Sequence, residues 1–244
     1  GIGKPRRTIL DPDHPRVASL QRLEASFPEE AVRIVSSTRD GKLHLVGTYS
    51  DKNAGTYYLY DQSVGELKYL LARRPWIKEA DGYATTDFIF EARDGLQITA
   101  LLTMPELVGD AKAPLVVMPH GGPHGPYDRW GWDWEVQFLA SRGYAVVQVN
   151  FRGSGMHGAD FEKAGFREWG RKIQYDIIDG ARYVVANFPI DGARVGIMGG
   201  SFGGYSALQS AILEPDFFKA SIGVVGVYDF KLMYTNGDVR GRRS

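Results

Sequence analysis

The chain contains no cysteine among its 244 residues, which excludes a disulfide framework and any metal site built on cysteine ligands. It has no stretch approaching the roughly 18 consecutive apolar residues of a membrane-spanning helix. An excess of charge of one sign is lacking as well, because 29 basic residues balance 29 acidic ones. A formally neutral chain gives no electrostatic reason to expect nucleic acid or an anionic membrane as a partner.

The N-terminus lacks the apolar core of a secretory signal peptide. Basic residues occur early, in Gly1-Ile2-Gly3-Lys4-Pro5-Arg6-Arg7, but no hydrophobic run follows them. This pattern favours a cytoplasmic location. At the other end, residues 236–244 are polar and basic, and we expect them to be disordered.

The first third of the sequence has the pattern of short antiparallel strands. After one predicted helix at 17–25, four apolar segments are separated by turn clusters, and they cover residues 31–36, 43–50, 56–60 and 67–71. Four antiparallel strands within about 40 residues match the size of one β-propeller blade, and a free-standing meander is the alternative. A single blade cannot bury both of its faces, so either interpretation predicts neighbouring elements.

The rest of the sequence alternates strands with helices, after a hairpin at 86–92 and 96–103 that turns at Arg93-Asp94-Gly95. This alternation predicts a parallel sheet and therefore the α/β class. The predicted strands are 115–118, 144–149, 194–198 and 220–225, and the predicted helices are 133–141, 173–187 and 202–213. On the last helix, four residues are expected to face the sheet: Ala207, Leu208, Ala211 and Ile212.

Ser201 stands in Gly199-Gly200-Ser201-Phe202-Gly203-Gly204, between a predicted strand and a predicted helix. A Gly-x-Ser-x-Gly sequence in that position is typical of a nucleophile elbow, in which a sharp turn exposes the serine hydroxyl. Glycine flanks the serine because so tight a turn leaves no room for neighbouring side chains. The hydroxyl needs an adjacent base before it can attack a carbonyl group. The alternative is a packing turn in which Ser201 caps the following helix.

A second glycine-rich segment, His120-Gly121-Gly122-Pro123, follows the first predicted strand of the α/β region. Acyl transfer requires hydrogen-bond donors for the oxyanion that forms on the substrate, and hydrolases take one of these donors from such a loop. The sequence therefore predicts that the backbone N–H groups of Gly122 and Phe202 form an oxyanion hole. A simple glycine turn ended by proline is the alternative.

Four other features have plainer explanations. His120 and His124 are four residues apart, but their Gly/Pro-rich segment is not helical and no carboxylate pair completes a zinc set, so no metal is expected. The glycines of 150–155 lack the register and the downstream acid of a dinucleotide fingerprint, so no cofactor is expected.

Arg152 is expected to brace loops through carboxylates, and His157 to be a loop residue. Packing in a core or interface is predicted for the aromatic cluster of Tyr127, Trp130, Trp132 and Trp134.

No histidine follows Ser201, although α/β-hydrolases place their triad in the order Ser, then Asp or Glu, then His. All five histidines precede it: His14, His44, His120, His124 and His157. We therefore expect the 244-residue chain to be a piece of a longer protein and to be catalytically incomplete by itself.

Taken in order, these motifs resemble those of the prolyl oligopeptidase family of serine peptidases, in its acylaminoacyl-peptidase and dipeptidyl-peptidase-like branch. The resemblance covers about residues 16–235 and rests on five segments: Arg74-Pro75-Trp76, Arg93-Asp94-Gly95-Leu96, His120-Gly121-Gly122-Pro123, Asn150-Phe151-Arg152-Gly153-Ser154-Gly155 and Gly199-Gly200-Ser201-Phe202-Gly203-Gly204-Tyr205.

The resemblance implies an α/β-hydrolase domain at 76–244 that lacks its C-terminal part, preceded at 1–75 by about one blade of a β-propeller. It implies hydrolysis of short peptides through an acyl-enzyme on Ser201, with Gly122 and Phe202 as oxyanion donors and the triad Asp and His outside this chain. Where several branches of the family carry an oxyanion-hole tyrosine, this chain has His120, which favours the backbone donors.

Other functions stay open at this point. One is an esterase or lipase built on the same elbow, and another is a non-catalytic binding protein that uses an inactive hydrolase fold. Whether the chain forms homo-oligomers is open as well.

Overall fold

The computed structural model describes residues 2–14 and 17–236 of the chain. Residues 237–244, most of the tail that the sequence predicts to be disordered, lie outside the described residues. The chain divides into two compact units: Gly1–Thr86, Thr103–Pro105 and Arg129–Arg142 form the first, and Asp87–Leu102, Glu106–Asp128 and Gly143–Ser244 form the second. Among the described residues, none of the helices has both the length and the apolar character needed to cross a membrane.

A four-stranded antiparallel sheet in the order β1-β2-β3-β4 forms much of the first unit. All four predicted strands and the helix before them are confirmed, as α1 (Val17–Ser26), β1 (Ala31–Ser37), β2 (Leu43–Tyr49), β3 (Thr56–Asp61) and β4 (Glu66–Ala72). The helix packs on the sheet through Leu23, which forms a buried cluster with Val32, Val46 and Tyr60. A short 3₁₀ turn, Glu79–Asp81, follows the sheet.

Helix α2 (Trp134–Ala140) belongs to this first unit, where polar contacts tie it to the strand connections. It begins at Asp133, whose carboxylate accepts two backbone N–H groups of the first turn, as a helix cap does. The Gln137 side chain accepts the N–H of Tyr83 at 2.8 Å and donates to the carbonyl of Asp51 at 3.0 Å. The division into domains at 1–75 and 76–244 stays a prediction.

The tryptophans around α2 have three different environments. Trp130 is buried and its ring lies 6.2 Å from that of Tyr49. Trp132 lies beneath the Arg74 guanidinium at 4.7 Å, a cation–π contact. Trp134 is 58% exposed, so core packing is wrong for Trp134, and an interface role for it stays a prediction.

The second unit is built around a six-stranded sheet in the order β10-β9-β7-β8-β6-β5. Its strands are β5 (Thr85–Glu91), β6 (Gln97–Thr103), β7 (Ala113–Val117), β8 (Ala145–Asn150), β9 (Ile190–Gly200) and β10 (Ala220–Val224). The last four pair in parallel, which confirms the predicted parallel sheet. The predicted hairpin β5–β6 forms one edge, and its turn places Gly95 at a φ of 86°, a conformation that favours glycine.

Four helices accompany this sheet: α3 (Ala159–Lys163), α4 (Lys172–Asn187), α5 (Phe202–Leu213) and α6 (Phe230–Asn236). The sequence predicts α4 and α5 but not the short α3 and α6. Helix α4 shows the apolar stripe expected of an amphipathic helix, and its fully buried residues include Ile173, Ile177, Ile178, Ala181 and Val184. The helix therefore covers the core of the sheet with one face.

Helix α5 presents a different face to the sheet from the predicted one. Ala207 is buried, but Leu208 and Ile212 are 37% and 71% exposed, so the prediction for these two residues is wrong. Apart from Phe202, the buried face consists of small residues, namely Gly203, Gly204, Ser206, Ala207 and Ser210. The helix lies so close to the strand before it that a Cβ added to Gly199 would stand 2.6 Å from the backbone of Gly203. Beyond Phe202 at its first position, the large apolar side chains Leu208 and Ile212 are therefore left on the outer side of the helix.

Candidate active site

Ser201 lies at a sharp turn between β9 and α5, with a φ of 56° and a ψ of −123°. A positive φ costs a non-glycine residue about 1–3 kcal/mol, so the surroundings must hold it. The Ser201 N–H donates to the Val224 carbonyl at 2.9 Å, and its carbonyl accepts the Gly204 N–H at 3.0 Å. The residue is exposed, and its hydroxyl caps none of the helix N–H groups. The alternative of a helix-capping serine is therefore wrong.

The glycines around Ser201 are required by close backbone contacts. A Cβ on Gly203 would overlap the carbonyl of Pro119, and one on Gly199 would lie 2.8 Å from that same oxygen. A Cβ on Gly204 would lie 3.0 Å from the carbonyl of Val224. A Cβ essentially never comes as close as it would at Gly199 and Gly203, so these two positions require glycine, and at Gly204 a Cβ would force the neighbouring backbone to shift. The absence of side chains at Gly199 and Gly203 allows the start of the loop after β7 to pack against the elbow.

The loop after β7 (residues 118–128) passes directly beside Ser201. A Cβ built on Gly121 would lie 3.5 Å from the Cβ and 3.9 Å from the Oγ of Ser201. Gly122 has a φ of 126°, which again favours glycine. Within residues 2–14 and 17–236, no group accepts a hydrogen bond from the N–H of Gly122 or from that of Phe202. Neither N–H group is therefore committed to a partner among the described residues.

His120 is engaged by its own loop and by the loop after β8 (residues 151–158). Its Nδ1 lies 2.7 Å from the carbonyl of Gly121, and its Nε2 lies 2.8 Å from the Oγ of Ser154. The ring also stacks on Phe151 with 4.3 Å between centroids. Burial lowers the pKa of the imidazole to about 4, so the ring is neutral at physiological pH. Both ring nitrogens are occupied, and the side chain is not free to donate to an oxyanion.

An aromatic cluster surrounds Phe202, the residue after the elbow serine, which is fully buried. Its ring lies 5.8 Å from Phe151 and 4.6 Å from Trp169, and Trp169 in turn lies 5.4 Å from Phe230. Sequence reasoning missed Trp169 and Phe230. Trp169 belongs to an irregular segment without hydrophobic periodicity, and its only sequence signal is a large aromatic residue next to Gly170.

Arg152, at the start of the loop after β8, is 4% exposed and joins two carboxylates. It donates two hydrogen bonds of 2.8 Å to Asp94 and holds Asp176 through Nε at 2.8 Å and Nη2 at 2.7 Å. Hydrogen bonds from this guanidinium hold the pKa of the Asp94 carboxyl well below its usual range. The predicted bracing role of Arg152 is confirmed, because both partners belong to other elements of the second unit.

His157 fastens the far end of the same loop. Its Nδ1 lies 2.7 Å from the carbonyl of Gly155, and its Nε2 lies 2.6 Å from Oγ1 of Thr99 on β6. This agrees with the predicted role as a loop residue. His124 packs its ring edge-on against Phe166 at 4.8 Å. In the part of the chain that the structure describes, no group of three or more His, Asp or Glu side chains is arranged to hold a metal ion.

Comparisons with known proteins connect this site to a family. The sequence model of the prolyl oligopeptidase family matches residues 130–240. Dipeptidyl aminopeptidase BIII of Pseudoxanthomonas mexicana is 36% identical over 216 residues, which are 86% of this chain and 31% of that protein. Dipeptidyl peptidase family member 6 of Caenorhabditis elegans is 32% identical over 228 residues, 85% of this chain and 31% of that protein.

A solved structure shows the same arrangement of elements. The acylaminoacyl peptidase of Pyrococcus horikoshii matches with a TM-score of 0.69 and 29% identity, over 82% of this chain and 32% of that one. The predicted fold class, an α/β-hydrolase fold preceded by a β-propeller blade, is thereby confirmed. The chain spans about a third of the length of the relatives that it matches.

Proposed function

Because the chain belongs to the prolyl oligopeptidase family of serine peptidases, we propose that a longer protein containing it hydrolyses short peptides with Ser201 as the nucleophile. One observation carries this proposal: the Ser201 hydroxyl is exposed on a turn of positive φ and caps no helix N–H. A strained, exposed and uncommitted hydroxyl is suited to attack a substrate carbonyl and is costly for packing alone.

The oxyanion donors of the proposed reaction are the N–H groups of Phe202 and Gly122. Phe202 begins α5, and the first N–H groups of a helix have no intrahelical acceptor and favour negative charge. Gly122 lies in the loop that passes beside Ser201. Removal of one such donor typically costs about 10²–10³ in rate, because the donors act where charge develops in the transition state.

The chemical steps follow from these positions. Ser201 Oγ attacks the peptide carbonyl while its proton passes to a general base, and the carbonyl oxygen becomes an oxyanion held by the two N–H groups. The C–N bond then breaks, the amine leaves with that proton, and an ester remains on Ser201. Water hydrolyses the ester and returns the free hydroxyl.

We place the general base and its carboxylate partner outside these 244 residues. All five histidines precede Ser201 in the sequence. The neighbouring loop holds two histidines: His120 has both ring nitrogens engaged with Gly121 and Ser154, and His124 packs against Phe166. We therefore expect the 244-residue chain alone to show negligible turnover, and any Ser201-dependent hydrolysis by it would contradict this assignment.

The test uses a full-length protein that contains this chain. We expect a fluorophosphonate probe to form an adduct on Ser201 and peptide hydrolysis to disappear in Ser201→Ala. The matched control is Ser63→Ala, which removes an exposed hydroxyl from the turn between β3 and β4 and should leave both readouts unchanged. Absence of an adduct on Ser201 would overturn the proposal and favour a non-catalytic binding protein. Cleavage of p-nitrophenyl esters without cleavage of peptide amides would favour an esterase.

A further inference from the structure

The loop after β8 supports the loop after β7 through backbone contacts. The Gly125 N–H donates to the carbonyl of Gly153 at 3.1 Å, and the Gly155 N–H donates to the carbonyl of Pro126 at 3.2 Å. Arg152 anchors the supporting loop through a buried ion pair with Asp176 and a partly exposed one with Asp94. The two loops are therefore joined on both sides of Ser154, which is fully buried.

The hydrogen bonds around His120 determine where its proton lies. A carbonyl oxygen can only accept, so the 2.7 Å contact with Gly121 requires the proton on Nδ1. The neutral ring then has a bare Nε2, which can only accept a hydrogen bond, here from the hydroxyl of Ser154 at 2.8 Å. The same hydroxyl also lies 2.7 Å from the carbonyl of Phe151, and its single proton serves these two acceptors in competition. Ser154 is thus the one described side chain that satisfies the distal ring nitrogen.

Holding the Gly121 carbonyl also fixes the direction of the next N–H. The carbonyl of Gly121 and the N–H of Gly122 belong to one planar peptide group, so they point in opposite directions and turn together. The imidazole that grips this carbonyl is held by Phe151 on its face and by Ser154 at its far nitrogen. Without the Ser154 hydroxyl, the ring keeps its stacking contact but loses the contact that prevents it from pivoting.

We infer that Ser154 is a positioning residue for peptide hydrolysis, which aims the Gly122 N–H at the oxyanion by holding the imidazole of His120. This inference rests on the proposed function. Ser154 does not touch substrate; it acts through the ring and the Gly121–Gly122 peptide. Its effect should therefore fall on transition-state stabilisation and leave substrate binding largely unchanged.

The chain offers a matched control at the other end of the same loop. Thr99 bonds Nε2 of His157 at 2.6 Å, while Nδ1 of that ring lies 2.7 Å from the carbonyl of Gly155. Ser154→Ala and Thr99→Val therefore each remove a hydroxyl that contacts Nε2 of an imidazole whose Nδ1 faces a backbone carbonyl. Only His120, the partner of Ser154, holds the carbonyl of Gly121 next to Gly122; His157, the partner of Thr99, holds that of Gly155.

The first readout is steady-state kinetics of the full-length protein on a short peptide. In Ser154→Ala we expect kcat to fall about 10- to 100-fold with KM nearly unchanged, since a donor displaced by about 1 Å can cost up to about 10²-fold. Affinity for a peptide aldehyde, whose adduct carries the oxyanion, should fall by the same factor, whereas affinity for the peptide product should not. Thr99→Val should retain wild-type kcat. Equal activity of the two variants, or a loss confined to KM, would overturn the inference.

The second readout is the tautomer of His120 in the same protein, labelled with ¹⁵N only at histidine and assigned by comparison with His120→Asn. We expect the proton on Nδ1 in the wild type and in Thr99→Val, and faster solvent exchange of that proton in Ser154→Ala. A proton on Nε2 in the wild type would refute the inference. This readout requires no catalysis, so it stays informative if Ser201→Ala shows that the proposed function is wrong.

Discussion

The imidazole of His120 should make the stability of this chain depend on pH between about 6.5 and 4. Burial lowers its pKa from 6.5 to about 4 in the folded chain. As pH falls, the unfolded chain binds a proton on this residue before the folded chain does, so protonation favours unfolding. The stabilisation is complete above about pH 6.5 and is lost progressively down to about pH 4. One pH unit of pKa difference is worth about 1.4 kcal/mol, so the full loss is about 3 kcal/mol.

The comparison that isolates this effect is wild type against His120→Asn. The asparagine amide can still donate to the carbonyl of Gly121, but it has no proton to bind in this pH range. Urea unfolding followed by circular dichroism at pH 7.0 and pH 4.5 should show the wild type losing about 2–3 kcal/mol more than the variant. His124, whose pKa is also lowered by burial, is present in both proteins, so its contribution cancels.

A direct NMR titration of His120 is the measurement that can refute this argument. The imidazole C–H resonances of His120 should stay at their neutral position until the pH approaches 4. A midpoint near 6.5 would mean that the ring is solvated and that its contacts with Gly121 and Ser154 are not the ones described. Equal pH dependence of the wild type and His120→Asn would refute the stability argument independently.

Three further substitutions test the packing of the second unit by urea unfolding. Gly203→Ala places a methyl group against a backbone carbonyl of the loop after β7. We expect it to lower the free energy of unfolding by about 1–3 kcal/mol or more and to abolish labelling of Ser201 by the fluorophosphonate probe. Arg152→Met leaves the fully buried Asp176 without its partner and should cost about 3–5 kcal/mol, whereas the exposed control Arg194→Ala should cost less than about 1 kcal/mol. Ile212→Ser, at a position that is 71% exposed, should change stability by no more than about 0.5 kcal/mol; a loss comparable to that of Gly203→Ala would contradict the observed orientation of α5.

Much of the fold could be predicted from the sequence, because its strands and helices have clear periods and turn signals. The four strands of the first unit end at Asp-, Asn- and Gly-rich turns, and α4 carries an apolar stripe bounded by Pro189. Helix α5 was predicted correctly in extent but with the wrong face, since hydrophobicity alone assigns Leu208 to the interior. Close approach to β9 selects glycine, serine and alanine for the buried face instead, and no apolar periodicity reports that.

The candidate site was predictable to the extent that its residues are contiguous in sequence. Gly121 and Ser201 belong to two recognisable motifs, and the structure brings those motifs into contact. Ser154 is 34 positions from His120, and nothing in the sequence indicates that a hydroxyl in one loop holds a ring in the other. The assignment of Gly122 and Phe202 as oxyanion donors stays a prediction.

The proximity of Gly121 to Ser201 has a consequence for access to the hydroxyl. A carbonyl carbon must come within about 3–3.5 Å of the attacking oxygen, and a methyl group at position 121 would stand 3.9 Å from that same atom. Alanine there would fit sterically in the empty protein and yet crowd the volume that an arriving acyl group must fill. The lack of a side chain at Gly121 thus leaves room for the substrate carbonyl beside the Ser201 hydroxyl. A larger residue at this position would block that approach without disturbing the empty protein.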